Sequence, residues 1–472
     1  MLLFLQIECE NQTKHIVSIM KKHLATYLTL CLSALLFTSC WGDEDQELLS
    51  PYAMIKSFSI GNIKSSYPAF TSDGRDTTVV RTVDCSSLSF TIDQTNGIIY
   101  NNDSLLYSTD LTKIVTSMEV LGAASIYVDS TGTYDYYAST DSTDFTKPRK
   151  FRIYSEGGSY HKDYVVSVNA HQVDPELMVW KKEAAIADIV PYGIAELADT
   201  MHLFGKNGTK AVVASSPVAG DIFWTTHEIT TLPESADLTT VQYYKDALYI
   251  IADSTVYTSP DAVNWSPAAT IPGAAAIIGT SDADMIMVAT DKEILGSADG
   301  SVFETMCSLP EGFPLYGISI ASYPMVHNSD IIRYMAIGYA TGEMDGNARV
   351  WSRLSTEGKW TEYDNDENPF PCPTLKGLEV IRYDNFFYAF GGAGTAEGET
   401  VKAFETFYIS KDNGIVWKSY EDFYQKLPGE LAGNDNRFIA TTDSKNYIWI
   451  VNSGEGAATY RGIINRLGFD KK

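Results

Sequence analysis

Beyond residue 50, short runs of apolar and polar residues alternate with a period of two. Ile55-Lys56-Ser57-Phe58-Ser59-Ile60, Leu88-Ser89-Phe90-Thr91-Ile92 and Tyr164-Val165-Val166-Ser167-Val168 are such runs. That period sends successive side chains to opposite faces of an extended chain, so each run predicts a half-buried strand. Asn96-Gly97 and Glu156-Gly157-Gly158 supply turn residues between them, because glycine reaches positive φ without a Cβ clash. Several short strands over residues 51–173 predict a β-sandwich. His171-Gln172-Val173-Asp174-Pro175 marks its end.

From Met178 onward the pattern changes to a loose repeat of about 40 to 50 residues, the spacing of propeller blades. Each unit has two apolar strands, a turn, and an aromatic that opens a last strand. Ala247–Ile251, Thr255–Tyr257 and Trp265 make one; Met285–Val288, Ile294-Leu295 and Phe303 make the next. Tyr334–Gly338 with Trp351 and Trp360, then Phe386–Gly392 with Trp417, continue the series, and Ala211–Ser215 with Trp224 is a less regular first member. The last unit, Tyr447–Val451 and Gly462–Leu467, stops without its aromatic strand. Met178-Val179-Trp180-Lys181 is available to complete it and remove an open edge. The expected fold is therefore all-β: a sandwich over 51–173, then a propeller of about six blades over 174–472, closed by its N-terminal strand. Uneven spacing leaves seven blades open.

Tyr408-Ile409-Ser410-Lys411-Asp412-Asn413-Gly414-Ile415-Val416-Trp417 contains Ser-x-Asp-x-Gly-x-x-Trp. Ser410 and Asp412 can accept from turn N–H groups, Gly414 supplies positive φ, and Trp417 buries a large ring. The stretch resembles the Asp-box of sialidase-like propellers, a structural blade corner, and Gly391-Gly392 resembles the Gly-Gly of Kelch repeats. Phe151–Gly158 followed by Lys162–Val168 resembles the last hairpin of Ig-like spacer modules. Taken together, the chain resembles Bacteroidota surface lipoproteins of unknown function that carry an Ig-like domain and a propeller.

The N-terminus fits that resemblance. Met20-Lys21-Lys22-His23 precedes an apolar run, Leu24–Phe37, too short to span a bilayer comfortably. Leu36-Phe37-Thr38-Ser39-Cys40 resembles a lipobox, which implies a signal peptide over 1–39, with Met20 as the expected start, and acylation of Cys40. Two or three acyl chains anchor firmly, each buried CH₂ contributing about 0.8 kcal/mol. The acidic tether over 40–50, with Asp43-Glu44-Asp45, resembles a surface-export signal, so the expected location is the outer membrane, facing outward. Cys85, Cys307 and Cys372 remain, too few for a disulfide framework; one bridge, Cys307 to Cys372, stays open beside unpaired thiols.

Composition narrows function by exclusion. The 472 residues carry a formal net charge of -25, so no basic face for nucleic acid is expected. Arg333, Arg349, Arg353, Arg382, Arg437, Arg461 and Arg466 could supply a sialidase triad by number, but none lies in a matching motif. With 60 Asp and Glu, a chance carboxylate pair says nothing about glycoside hydrolysis. Asp364-Asn365-Asp366-Glu367-Asn368 lacks the glycine and distal glutamate of a calcium loop. No cofactor or metal is expected. Long loops in the last three units suggest a binding face. Its candidate residues are Glu343, Asp345, Asn347, Phe370, Glu397, Glu399, Tyr424, Asn434, Tyr460 and Arg461. The expected function is non-catalytic binding of a glycan or another surface protein. A glycan-active enzyme using a central pocket is the alternative.

Overall fold

The computed structural model describes residues 17–21, 23, 51–70, 76–280, 285–342, 347–363, 368–419, 424–434, 436–454 and 457–469. Cys40, the acidic tether, Glu343, Asp345 and Asp364–Glu367 lie outside them. Strands dominate, and among the described residues no helix is long and apolar enough to cross a membrane. The chain divides into two compact units: Met1–Ile63 with Val83–Asp103 and Asp110–Asn169, and Lys64–Thr82 with Ser104–Thr109 and Ala170–Lys472.

In the first unit, Met54–Ile60, Ile114–Leu121 and Ser142–Thr143 form one sheet. Phe90–Asp93, Ile98–Asn101, His161–Ser167, Arg149–Tyr154, Ala123–Val128 and Thr133–Tyr136 form a second. The period-two pattern holds from Ser57 to Ile60, and a β-bulge between Ile55 and Ser57 breaks it so that Ile55 also points inward; Ile55, Phe58 and Ile60 are buried while Lys56, Ser57 and Ser59 are exposed. The Phe58 ring meets Phe90 edge-on at 4.9 Å, and the Ile55 N–H donates to the Tyr164 hydroxyl at 3.3 Å, so the two sheets share a core.

The second unit is a β-propeller built on six four-stranded antiparallel sheets among the described residues. Sheet 1 is Val190–Leu197, Thr200–Asn207, Lys210–Pro217 and Thr225–Glu228. Sheet 2 is Ala236–Tyr244, Ala247–Ala252, Thr255–Ser259 and Ser266–Thr270; sheet 3 is Ala274–Gly279, Ile286–Thr290, Glu293–Ser297 and Glu304–Ser308. Sheet 4 is Tyr316–Met325, Asn328–Tyr339, Arg349–Leu354 and Thr361–Glu362. Sheet 5 is Glu379–Tyr383, Phe386–Phe390, Tyr408–Ser410 and Lys418–Ser419. Sheet 6 is Phe438–Thr442, Ile448–Asn452, Thr459–Ile464 and Met178–Lys182. First strands of successive sheets lie side by side, and that of sheet 6 lies against that of sheet 1. The core is shared out around this ring: Phe204, Leu248 and Trp265 pack between sheets 1 and 2, and Tyr388, Phe407 and Phe438 between sheets 5 and 6.

The seam joins distant parts of the chain. Met178–Lys182 pairs antiparallel with Thr459–Ile464, from Met178 opposite Ile464 to Lys182 opposite Tyr460. Met178 is buried, and its N–H donates to the Tyr424 carbonyl at 2.7 Å. The Trp180 ring is half-buried; it lies over Gly462, where a Cβ would come within 2.4 Å of the ring, and its indole N–H donates to the Lys426 carbonyl at 2.7 Å.

The turn after Tyr408–Ser410 closes as its residues dictate. Ser410 Oγ donates to Asp412 Oδ1 (2.8 Å) and accepts from the Gly414 N–H (2.8 Å); Asp412 Oδ1 also accepts from Val416 (2.9 Å). Gly414 has φ of 91°, and the Trp417 indole, 1% exposed, donates to the Gly414 carbonyl at 2.9 Å. Ser259–Trp265 repeats this plan, the Trp265 indole donating to Ala262 at 3.0 Å. Ser297–Val302 repeats its first half, and there the Val302 and Ser301 N–H groups hold the Asp299 carboxyl well below the usual range. Cys85, Cys307 and Cys372 are all free thiols, so no Cys307–Cys372 bridge exists; burial alone pushes the Cys372 thiol up.

Candidate functional site

The six first strands surround a channel of about 700 Å³. Each strand alternates, so one set of side chains turns toward the preceding sheet and the other toward the following one. Glu379 and Arg382, on the first strand of sheet 5, show this. Glu379 belongs to the set that includes Ile381 and packs toward sheet 6; Arg382 belongs with Val380 and packs toward sheet 4.

Glu379 is the chemically distinctive group. Its side chain lines the channel and is partly exposed there, and Oε2 accepts from the Ala440 N–H at 3.3 Å. Burial pushes its pKa up to about 7, against the opposing pull of the Arg437 charge and the Ala440 N–H. A low-dielectric surround penalises the carboxylate more than one cation and one N–H restore. Arg437 sits just before the first strand of sheet 6 and also lines the channel. Asp237, the other acidic lining residue, lies across the ring on sheet 2, and its Oδ1 is taken by Thr239 N–H (3.0 Å) and Oγ1 (2.6 Å). Thr240, Gln242, Ser319, Thr341 and Thr441 add hydroxyls and an amide, and Tyr316 is 51% exposed.

Among the described residues, several of the long-loop candidates are engaged within the fold. Tyr460 and Arg461 lie within the strand Thr459–Ile464, not in a loop, and both are buried. The apolar residues around them pair as a sheet-6 strand, which carries them inward. Tyr460 donates to Glu430 Oε2 at 3.0 Å. Arg461 is spent on structure: it ion-pairs with Glu183 at 3.2 Å, donates to the Val218 carbonyl at 3.0 Å and stacks over Tyr447 at 4.5 Å. The loop over 392–402 is itself folded. Gly394–Ala396 pairs with Glu399–Val401 and with Thr374–Leu375. Glu397, at the hairpin turn, accepts from both the N–H and Oγ of Ser419 (2.7 and 2.9 Å) and so is no free loop carboxylate; Glu399 is exposed. The Phe370 carbonyl accepts from the Trp417 N–H at 2.9 Å, and its ring carries Lys418 Nζ at 4.1 Å, which ties it to the Ser410–Trp417 turn. Tyr424 meets the seam through its carbonyl, Asn434 Oδ1 accepts from the Asn436 N–H at 2.9 Å, and Asn347 is exposed.

The sequence reading missed Glu379 and placed Arg437 only in an arginine count. A signal was there: in Leu378-Glu379-Val380-Ile381 a charge sits within an apolar run. Among the described residues no cluster of three or more His, Cys, Asp or Glu could hold a metal.

Comparison with known proteins bears on architecture. Among solved structures, the chain is similar to a Trichoderma reesei carbohydrate-active enzyme of family AA12 at 8% identity, over 62% of this chain and 99% of the other, with a TM-score of 0.38. It is similar to an α-L-arabinofuranosidase from Fusarium graminearum at 11% identity, over 60% and 97%, with a TM-score of 0.35. Streptogramin B lyase matches at 11% identity, over 60% and 97%, with a TM-score of 0.34. At these values no activity transfers. No curated protein matches the chain. The model of the DUF6242 β-propeller domain matches residues 174–472, and that of the DUF6242 N-terminal domain, a domain of unknown function, matches residues 58–168. The chain belongs to the DUF6242 β-propeller family.

Proposed function

We propose that this protein is a non-catalytic binding protein that holds a hydroxyl-rich ligand, such as a glycan, at the Glu379–Arg437 end of the propeller channel. The observation that carries the reading is a channel lined by hydroxyls, an amide and an exposed tyrosine around one perturbed carboxyl. Such a set hydrogen-bonds and stacks on a sugar, but does not pair two carboxyls across one bond as glycoside hydrolysis needs. The six sheets serve as six blades, with Met178–Lys182 completing the last. The Ser410–Trp417 turn serves as an Asp-box corner, and the N-terminal unit serves as an Ig-like spacer. Acylated Cys40 holds the protein on the outer membrane, facing outward, so Cys40→Ala should move it from the membrane fraction to the soluble one.

One observation favours a second reading. A carboxyl with a pKa of about 7 is suited to general-acid work at neutral pH, which keeps a glycan-active enzyme in view. A glycan-binding screen on the soluble chain beginning at Asp43, run beside a hydrolysis assay, separates the two. Binding without turnover, weakened about tenfold or more by Glu379→Ala, is the expected outcome, equivalent to about 1.4 kcal/mol or more. Turnover that vanishes in Glu379→Gln would establish the enzyme instead.

A further inference from the structure

Three residues along the strand from Glu379, and facing the opposite neighbour, lies a second unusual group. The Arg382 guanidinium stacks over the Tyr323 ring at 3.9 Å and donates to Asn385 Oδ1 at 3.1 Å. Arg333 lies directly opposite Tyr323 in the sheet-4 register and donates to Ser352 Oγ (2.8 Å) and the Tyr363 hydroxyl (3.1 Å). The Tyr323 hydroxyl donates to Asn413 Oδ1 at 2.9 Å. One guanidinium therefore stacks on this tyrosine ring, and a second belongs to the residue paired with it across the ladder.

Neither has a carboxylate partner among the described residues, and each keeps a buried Nε–H with no acceptor. Three other arginines do have acids, Arg149 with Asp129 at 3.0 Å, Arg152 with Asp163 at 2.7 Å and Arg349 with Glu362 at 2.7 Å, whereas buried Arg353 is held by the Glu357 carbonyl and the Met287 sulfur. Burial pushes the Arg382 guanidinium below its ordinary range, and the facing Tyr323 only partly offsets this. An anion bridging the two buried Nε–H groups would give each of them the acceptor it lacks among the described residues.

We propose that Arg333 and Arg382 form an oxyanion site between sheets 4 and 5, taking a carboxylate, sulfate or phosphate group. The site uses none of the Glu379 end of the channel and stands independently of the ligand proposed there. Equilibrium dialysis of the soluble chain at constant ionic strength, with labelled sulfate, phosphate and glucuronate as probes, tests it. The expected result is saturable binding of sulfate or phosphate near one per chain, weakened about tenfold or more in Arg382→Met and in Arg333→Met, and unchanged in Lys210→Met on sheet 1. Glucuronate binding tighter than either inorganic ion identifies a sugar acid as the source of the anion; the reverse order identifies the free ion. If a methionine variant fails to fold, the lysine variants keep the charge without the planar fork and should still bind several-fold more weakly. No saturable binding of any probe, or binding equal to wild type in both arginine variants, overturns the site.

Discussion

Glu379 shows at the scale of one residue how position in a ring creates chemistry. Its pKa of about 7 lies above the ordinary value of 4.5, so the folded protein binds a proton that the unfolded chain has already released between those pH values. The sign follows: the stability associated with the neutral acid is fully present below about pH 4.5 and is lost as pH rises through about 7. The shift corresponds to about 3 kcal/mol at most, and less in practice because the channel admits water. Glu379→Gln should therefore leave the melting temperature nearly unchanged at pH 5 and raise it at pH 8. Thermal unfolding at both pH values checks this; the same difference at each would show that the carboxyl is not strained by burial.

At the scale of an element, the Ser410–Trp417 turn was legible from residue types alone, because the bonds that close it run between groups a few residues apart. Trp417→Ala should destabilise the propeller by about 3–5 kcal/mol, as expected for a fully buried aromatic. Ser410→Ala, which strips the Gly414 N–H of its acceptor, should destabilise it by about 1–3 kcal/mol. Chemical denaturation of the two variants reads both, and a larger loss for Ser410→Ala would overturn that ordering. Trp180→Ala should fall below Trp417→Ala, since the Trp180 ring is half-buried. What was not legible depended on distant partners. Glu379 is perturbed by Arg437 and Ala440, which reach it only after sheets 5 and 6 pack. Tyr460 and Arg461 read as loop residues because the apolar run begins at Gly462, whereas backbone pairing with Ile448–Asn452 and Met178–Lys182 starts the strand at Thr459. Glu397 read as a free loop acid because its partner Ser419 arrives from the last strand of a different sheet, sheet 5.

At the scale of the molecule, the ring depends on its seam. Removing Met178–Lys182 from the full chain takes away the backbone partners of Thr459–Ile464 and the cover over Gly462. The propeller's melting temperature should drop well below that of Trp180→Ala alone, and an unchanged value would mean that the ring closes another way. The same pairing sets an order of events. Met178–Lys182 emerges well before Thr459–Ile464 during synthesis, so the earlier strand must wait with a bare edge while the five sheets between them assemble. Contacts this remote in sequence are slow to form, and a waiting edge accepts any matching strand. At high concentration the strand that arrives first can come from another molecule, and two chains then finish each other's last sheet as a swapped pair.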